Sequence, residues 1–163
     1  MLKDWGVAIA LGVAVYLMIG WLSPSMELPE EAPPISVKTL DGAAWSLEQH
    51  AGKTVVLNFW ATWCGPCKKE IPDFSRFADD HPDVPVIGIS LDEKLSPAQL
   101  KAKSKALGVR YPVARFTQEI ASDYDVRTLP TTVIVKPDGN VGFIRVGSMS
   151  YQSLVRAVDG VSG

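Results

Sequence analysis

Cysteine and histidine are scarce in this chain, and neither sign of charge dominates. Its 163 residues include only two cysteines and two histidines, and 16 Lys+Arg stand against 18 Asp+Glu for a formal net charge of −2. That near balance leaves no electrostatic footprint for a nucleic-acid partner. A zinc centre needs four ligands, and beyond the two thiols the chain offers only His50 and His81, which are not in ligand spacing with each other. No internal repeat or low-complexity tract is present, which argues against a repeat architecture. With 47% hydrophobic and 21% charged residues, the composition suits one globular domain plus an appendage.

The two cysteines stand together as Trp63-Cys64-Gly65-Pro66-Cys67, between the apolar run Val55–Trp60 and an amphipathic stretch opening at Lys68. If a helix begins near Cys64, residues i and i+3 share one face and the sulfurs come within bridging range. Pro66 then falls in the first turn, where its missing N–H is no loss. The first sulfur faces the unpaired N–H groups and positive dipole end of the helix, which stabilise a thiolate, while the second is shielded. Cys64 is therefore expected to attack and Cys67 to resolve. A haem-attachment site needs His after the second cysteine, and Lys68 stands there. A structural disulfide closing so short a loop would constrain little of the unfolded chain.

The appendage comes first. Trp5 to Leu22 is an uncharged apolar run of roughly 18 residues, about 27 Å as a helix, and reads as one membrane span. Lys3 before it and Glu27, Glu30 and Glu31 after it favour a cytoplasmic amino terminus. A cleaved signal peptide is the rival reading, with Ser23 and Ser25 as candidate cleavage-site residues. The weakly basic start and the length of the apolar run favour an uncleaved anchor. Either way the rest of the chain is exported, into a compartment where disulfides persist. The organisation expected is an anchor over 1–22, a Pro/Glu-rich extended linker over 23–34, and a folded domain over 35–163.

Within that domain, Ile35–Thr39 and Ala44–Leu47 flank the turn signal Asp41-Gly42, and Val55–Trp60 and Val84–Leu91 read as buried strands. The helix after the cysteines carries Ile71, Phe74 and Phe77 at helical spacing, with a kink expected at Pro72. Ser96-Pro97-Ala98-Gln99 predicts a capped helix that stops at Gly108. A short strand over Tyr111–Arg115 and a short helix over Thr117–Tyr124 follow, then a hairpin of Thr131–Lys136 and Val141–Val146, and a last helix capped by Ser150. The fold class expected is α/β, a mixed sheet flanked by helices.

The run Asn58-Phe59-Trp60-Ala61-Thr62-Trp63-Cys64-Gly65-Pro66-Cys67-Lys68-Lys69-Glu70-Ile71-Pro72, taken with Thr128-Leu129-Pro130-Thr131-Thr132, resembles the thioredoxin fold. It resembles in particular the membrane-anchored TlpA/ResA branch of extracytoplasmic thiol–disulfide oxidoreductases. The anchor, the hairpin before Val55 and an inserted helix–strand segment from Ser96 to Val113 fit that branch. Asn58 departs from thioredoxin itself, where a buried Asp helps move the resolving cysteine's proton; an amide cannot take it. Glu70, at i+3 from Cys67, resembles the active-site glutamate of the ResA type. The resemblance implies that its pKa is raised by partial burial and that it accepts the Cys67 proton; spacing alone fits an exposed Glu beside Lys68 and Lys69 equally well. The resemblance further implies a cis Pro130 facing the cysteines, with the Leu129 backbone pairing with an extended substrate. Of Trp60 and Trp63, one is expected in the core and one, Trp63, at the rim of the thiol site. His50 and His81 are expected in solvated loops.

The expected function is extracytoplasmic disulfide reduction by the Cys64/Cys67 dithiol, with no cofactor beyond the cysteines. The implied partners are a protein disulfide (apocytochrome c or a copper-site assembly protein), a membrane electron donor of the DsbD/CcdA type, and the membrane through the amino-terminal helix. The expected location is the bacterial cytoplasmic membrane, single-pass, with the domain on the periplasmic side. Thiol oxidation and copper binding by the thiols stay open. A peroxidase would need a hydroxyl three residues before its cysteine, where Ala61 stands.

Overall fold

The computed structural model describes residues 12–14, 18 and 30–162, the side chain of residue 121 excepted. The chain order is β1 (Ser36–Lys38), β2 (Ala44–Ser46), a 3-10 turn (Glu48–His50), β3 (Val55–Trp60), α1 (Gly65–Asp80), β4 (Val86–Ser90), α2 (Pro97–Ala106), β5 (Val113–Arg115), α3 (Gln118–Asp123), β6 (Thr131–Val135), β7 (Val141–Val146) and α4 (Tyr151–Val161). Five strands form a mixed sheet in the order β5-β4-β3-β6-β7. The β3–β4 and β4–β5 pairs are parallel, and the β3–β6 and β6–β7 pairs antiparallel. The α/β class, the early hairpin β1–β2 and the inserted α2–β5 segment agree with expectation.

Strand β3 is buried along its whole length, as its unbroken apolar run implies. Strand alternation divides it between two layers. Val55, Leu57 and Phe59 point into one cluster with Ile87, Ile89, Val133 and Tyr124. Val56 faces the other side, with Phe74 and Phe77 of α1 and Leu154 and Val158 of α4. Asn58, two residues on from Val56, therefore projects toward α1 from the middle of the sheet. At the carboxyl end of β3, a third cluster gathers Trp60, Ala61, Cys64, Cys67, Ile71 and Val113.

The helix signals are satisfied as read. Ser96 and Gln99 form a reciprocal capping box, Ser150 accepts from Ser153 N, and Gly108 takes a φ of +79° just past α2. Helix α1 continues through Pro72 as a single element. Several strands are shorter than their apolar runs; β5 opens only after Pro112 and β4 only after Pro85, neither of which can donate to a ladder.

Two expectations need correction. Glu30–Pro34, read as the end of the linker, is docked on the domain: Val141 N donates to Glu30 O at 2.8 Å, Ala32 N to Gly139 O at 3.0 Å, and the Tyr124 hydroxyl to Pro33 O at 2.6 Å. An extended Pro-rich segment keeps its backbone groups free for such pairing: Val141 and the Tyr124 hydroxyl donate to its carbonyls, and Gly139 of the β6–β7 turn accepts from its Ala32 N–H. The histidines are half-buried rather than solvated. His50 packs on the Trp45 ring at 5.2 Å, and burial, then Lys53, hold its pKa below the ordinary value. His81 stacks on Phe77 at 4.5 Å. The apolar run Trp5–Leu22 and residues 23–29 lie outside the described residues, save 12–14 and 18; no described helix is long and apolar enough to cross a membrane.

Candidate active site

Strand β3 delivers the chain to the site. After Trp60 the backbone turns through Ala61–Trp63, and α1 begins with Cys64 as its N-cap, the Cys64 sulfur accepting from Cys67 N at 3.2 Å. That is the place a serine or aspartate oxygen takes at other helix starts, and there a thiolate meets the unpaired donors and the positive end of the dipole. Cys64 and Cys67 are joined as a disulfide, their Cα atoms 5.3 Å apart. Cys64 keeps 5% of its surface exposed and Cys67 none. Of the two sulfurs, an incoming partner reaches that of Cys64.

Glu70 lies one turn beyond Cys67 and is only 2% exposed. Asn58 Nδ2 donates to one of its carboxylate oxygens at 2.9 Å, and the backbone N–H of Met149 to the other at 3.0 Å. The Tyr111 hydroxyl donates to Asn58 Oδ1 at 3.3 Å. Burial pushes the Glu70 carboxyl up to about 7, with nearby Asp73 adding to the rise and the Asn58 and Met149 donors opposing it. Glu70 is thus no surface residue beside Lys68 and Lys69, both of which are exposed. It is a buried carboxyl poised to take or give a proton near neutrality.

A second buried carboxylate braces the turn before Cys64. Asp92 accepts from Thr62 N at 2.8 Å, Thr62 Oγ1 at 2.7 Å and Ser90 Oγ at 2.8 Å. This arrangement was not visible in the sequence, where no local pattern links Asp92 to Thr62. The part of Met149 was equally hidden, because its backbone rather than its side chain meets Glu70.

The remaining expected site residues divide by exposure. Trp63 is 68% exposed beside Cys64, whereas Trp60 is wholly buried. Thr131 pairs with Phe59, so Pro130 lies at the end of the sheet where β3 turns toward the cysteines. The Leu129–Pro130 peptide is cis, and Leu129 packs on the Trp60, Cys64 and Cys67 cluster. Among the described residues no group of three or more His, Cys, Asp or Glu side chains is placed to hold a metal ion.

The profile of the AhpC/TSA family matches residues 28–144. The chain belongs to the AhpC/TSA family. Within this family it is 32% identical to thiol-disulfide oxidoreductase ResA of Bacillus subtilis, over 90% of this chain and 86% of that protein. It is also 32% identical to thioredoxin-like protein YneN of the same organism, over 98% and 99% of the two chains. A solved thiol:disulfide interchange protein of the thioredoxin family from Chlorobium tepidum superposes with a TM-score of 0.75 at 30% identity, covering 85% of this chain and all of that one. The AhpC/TSA chain described here is accordingly a thioredoxin-like disulfide oxidoreductase. Its site holds a Cys-x-x-Cys pair with a buried acid one turn further along the helix.

Proposed function

We propose that the chain is an exported disulfide reductase, held at the bacterial cytoplasmic membrane by its amino-terminal apolar run with the folded domain on the outer side. The observation that carries the reading is a Cys64–Cys67 pair of unequal exposure, capping a helix that places the buried Glu70 one turn further on.

In the reduced enzyme the Cys64 thiolate, stabilised at the helix start, attacks one sulfur of a partner disulfide. The partner's other sulfur leaves as a thiolate, and a mixed disulfide to Cys64 forms. Glu70 takes the Cys67 proton, and the Cys67 thiolate attacks the Cys64 sulfur. This closes the intramolecular disulfide and releases the second partner thiolate, which is protonated from Glu70 or solvent. Two electrons pass from the dithiol to the partner. Trp63 forms the rim over which the partner approaches, and the backbone at Leu129–Pro130 pairs with an extended partner segment.

A protein disulfide is the substrate in this reading, either the haem-attachment pair of apocytochrome c or a copper-site assembly protein. Recharging requires a membrane dithiol donor of the DsbD/CcdA type, and the cysteines suffice without another cofactor. Gly65-Pro66 between the cysteines, the dipeptide of reducing thioredoxins, supports this direction. The test is to mix the fully reduced chain with a peptide carrying an oxidised haem-attachment Cys-x-x-Cys-His pair. Transfer of two electrons to the peptide is expected; a peptide that stays oxidised while the chain stays reduced would overturn the proposal.

A further inference from the structure

We propose that Tyr111 is a positioning residue for the exchange reaction, holding the Asn58 amide in the orientation that keeps Glu70 a hydrogen-bond acceptor. The inference rests on the proton-acceptor role given to Glu70 above.

The argument is one of donors and acceptors. Asn58 carries one acceptor and one donor group at opposite corners of its amide, so what binds one corner fixes what the other presents. The Tyr111 hydroxyl occupies Oδ1 and thereby turns Nδ2 toward Glu70. The second Glu70 oxygen faces the Met149 N–H, a donor that cannot be turned round. A carboxylate satisfies both contacts. A carboxylic acid carries a hydrogen of its own, which no acceptor among these contacts receives unless Asn58 flips and offers Oδ1. With Asn58 flipped, the buried phenol loses the acceptor for its proton, a loss comparable to breaking one hydrogen bond. Tyr111 therefore opposes the flip and disfavours protonated Glu70, which keeps the carboxylate available as an acceptor.

The surroundings fit a dedicated contact. Tyr111 is buried, and burial raises its pKa far above the ordinary value, so it remains a donor throughout the working range. Its ring passes so close to β4 that a Cβ at Gly88 would sit 2.9 Å from Tyr111 Cε2 and 2.8 Å from Trp60 Nε1. From α1 itself Asp73 lies near Glu70, with Cys67 three residues before it on the same helix; from β6 Thr132, whose hydroxyl has no partner among the described residues, pairs with Asn58. On the side of Met149, Arg145 and Arg156 line a surface cavity. Of these groups, only Tyr111 reaches the free corner of Asn58.

The test compares the full chain with Tyr111→Phe, Glu70→Gln and the double variant, following Cys67 attack on a mixed disulfide between Cys64 and an aromatic thiol as a function of pH. Tyr111→Phe is expected to move the midpoint of the profile upward by about 0.5–1 pH unit, slowing the step about three- to tenfold below the midpoint. In the Glu70→Gln background the same substitution should move nothing. A Tyr111→Phe profile that coincides with wild type while Glu70→Gln differs overturns this inference, even if the thermal midpoint falls. A Glu70→Gln profile that coincides with wild type overturns the proton-acceptor reading instead.

Discussion

Glu70 makes the stability of the oxidised domain depend on pH in a direction opposite to that of most carboxylates. Burial raises its folded-state pKa from the ordinary 4.5 to about 7. Between those values the unfolded chain has released the proton and the folded chain retains it, so stability falls as pH rises. The contribution is fully present below about pH 4.5 and is lost as pH passes through about 7. At ~1.4 kcal/mol per pH unit, a rise from 4.5 to about 7 amounts to about 3 kcal/mol. Glu70→Gln removes the titration and leaves an amide among donors, so its absolute stability is a poor gauge; the difference between wild type and variant as a function of pH isolates the group. Urea unfolding from pH 5 to 8.5 under oxidising conditions is the assay. With slopes of about 1–3 kcal/mol per molar urea, the wild-type midpoint should drop relative to the variant by about 1–3 M across that range. A difference that stays flat would refute the claim that Glu70 is buried and holds its proton near neutrality.

Other predictions bear on neighbouring parts of the site. Cys67→Ser should still attack a partner disulfide through Cys64 but stop at the mixed disulfide, visible as a stable adduct by mass spectrometry; rapid release of the adduct would contradict the assigned roles. Asp92→Ala strips the acceptor from Thr62 N, Thr62 Oγ1 and Ser90 Oγ, and chemical denaturation should show a loss of about 2–3 kcal/mol. Gly88→Ala pushes a methyl against Trp60 and Tyr111 and should lower stability by about 1–3 kcal/mol in the same assay. Trp63→Ala, at a position 68% exposed, should leave stability within about 0.5 kcal/mol of wild type while slowing reduction of a protein disulfide.

Much of this architecture was legible because local signals agreed with one another. The apolar run Val55–Trp60 became β3 without change, and the Ser96/Gln99 and Ser150 caps opened their helices where read. The cysteine pair was legible for the same reason: its spacing, Pro66 and the flanking strand each imply a helix start at Cys64. What escaped was tertiary. Asp92 meets Thr62 only because β4 lies beside β3, a pairing no local pattern encodes. Tyr111 reaches Asn58 across 53 positions, and Met149 reaches Glu70 across 79. The docking of Glu30–Pro34 was missed because proline-rich composition describes what cannot build a core, not what can lie along one. His50 and His81 were misplaced because their aromatic neighbours, Trp45 and Phe77, become neighbours through the turn and helix geometry rather than through composition.

The central claim is that the Cys64/Cys67 couple works as a reductant, and its equilibrium reduction potential against a dithiol buffer tests this most directly. The account predicts a value near that of thioredoxin, about −270 mV, at which the dithiol passes its electrons to partner disulfides; a value near about −120 mV would contradict it and make the protein an oxidant.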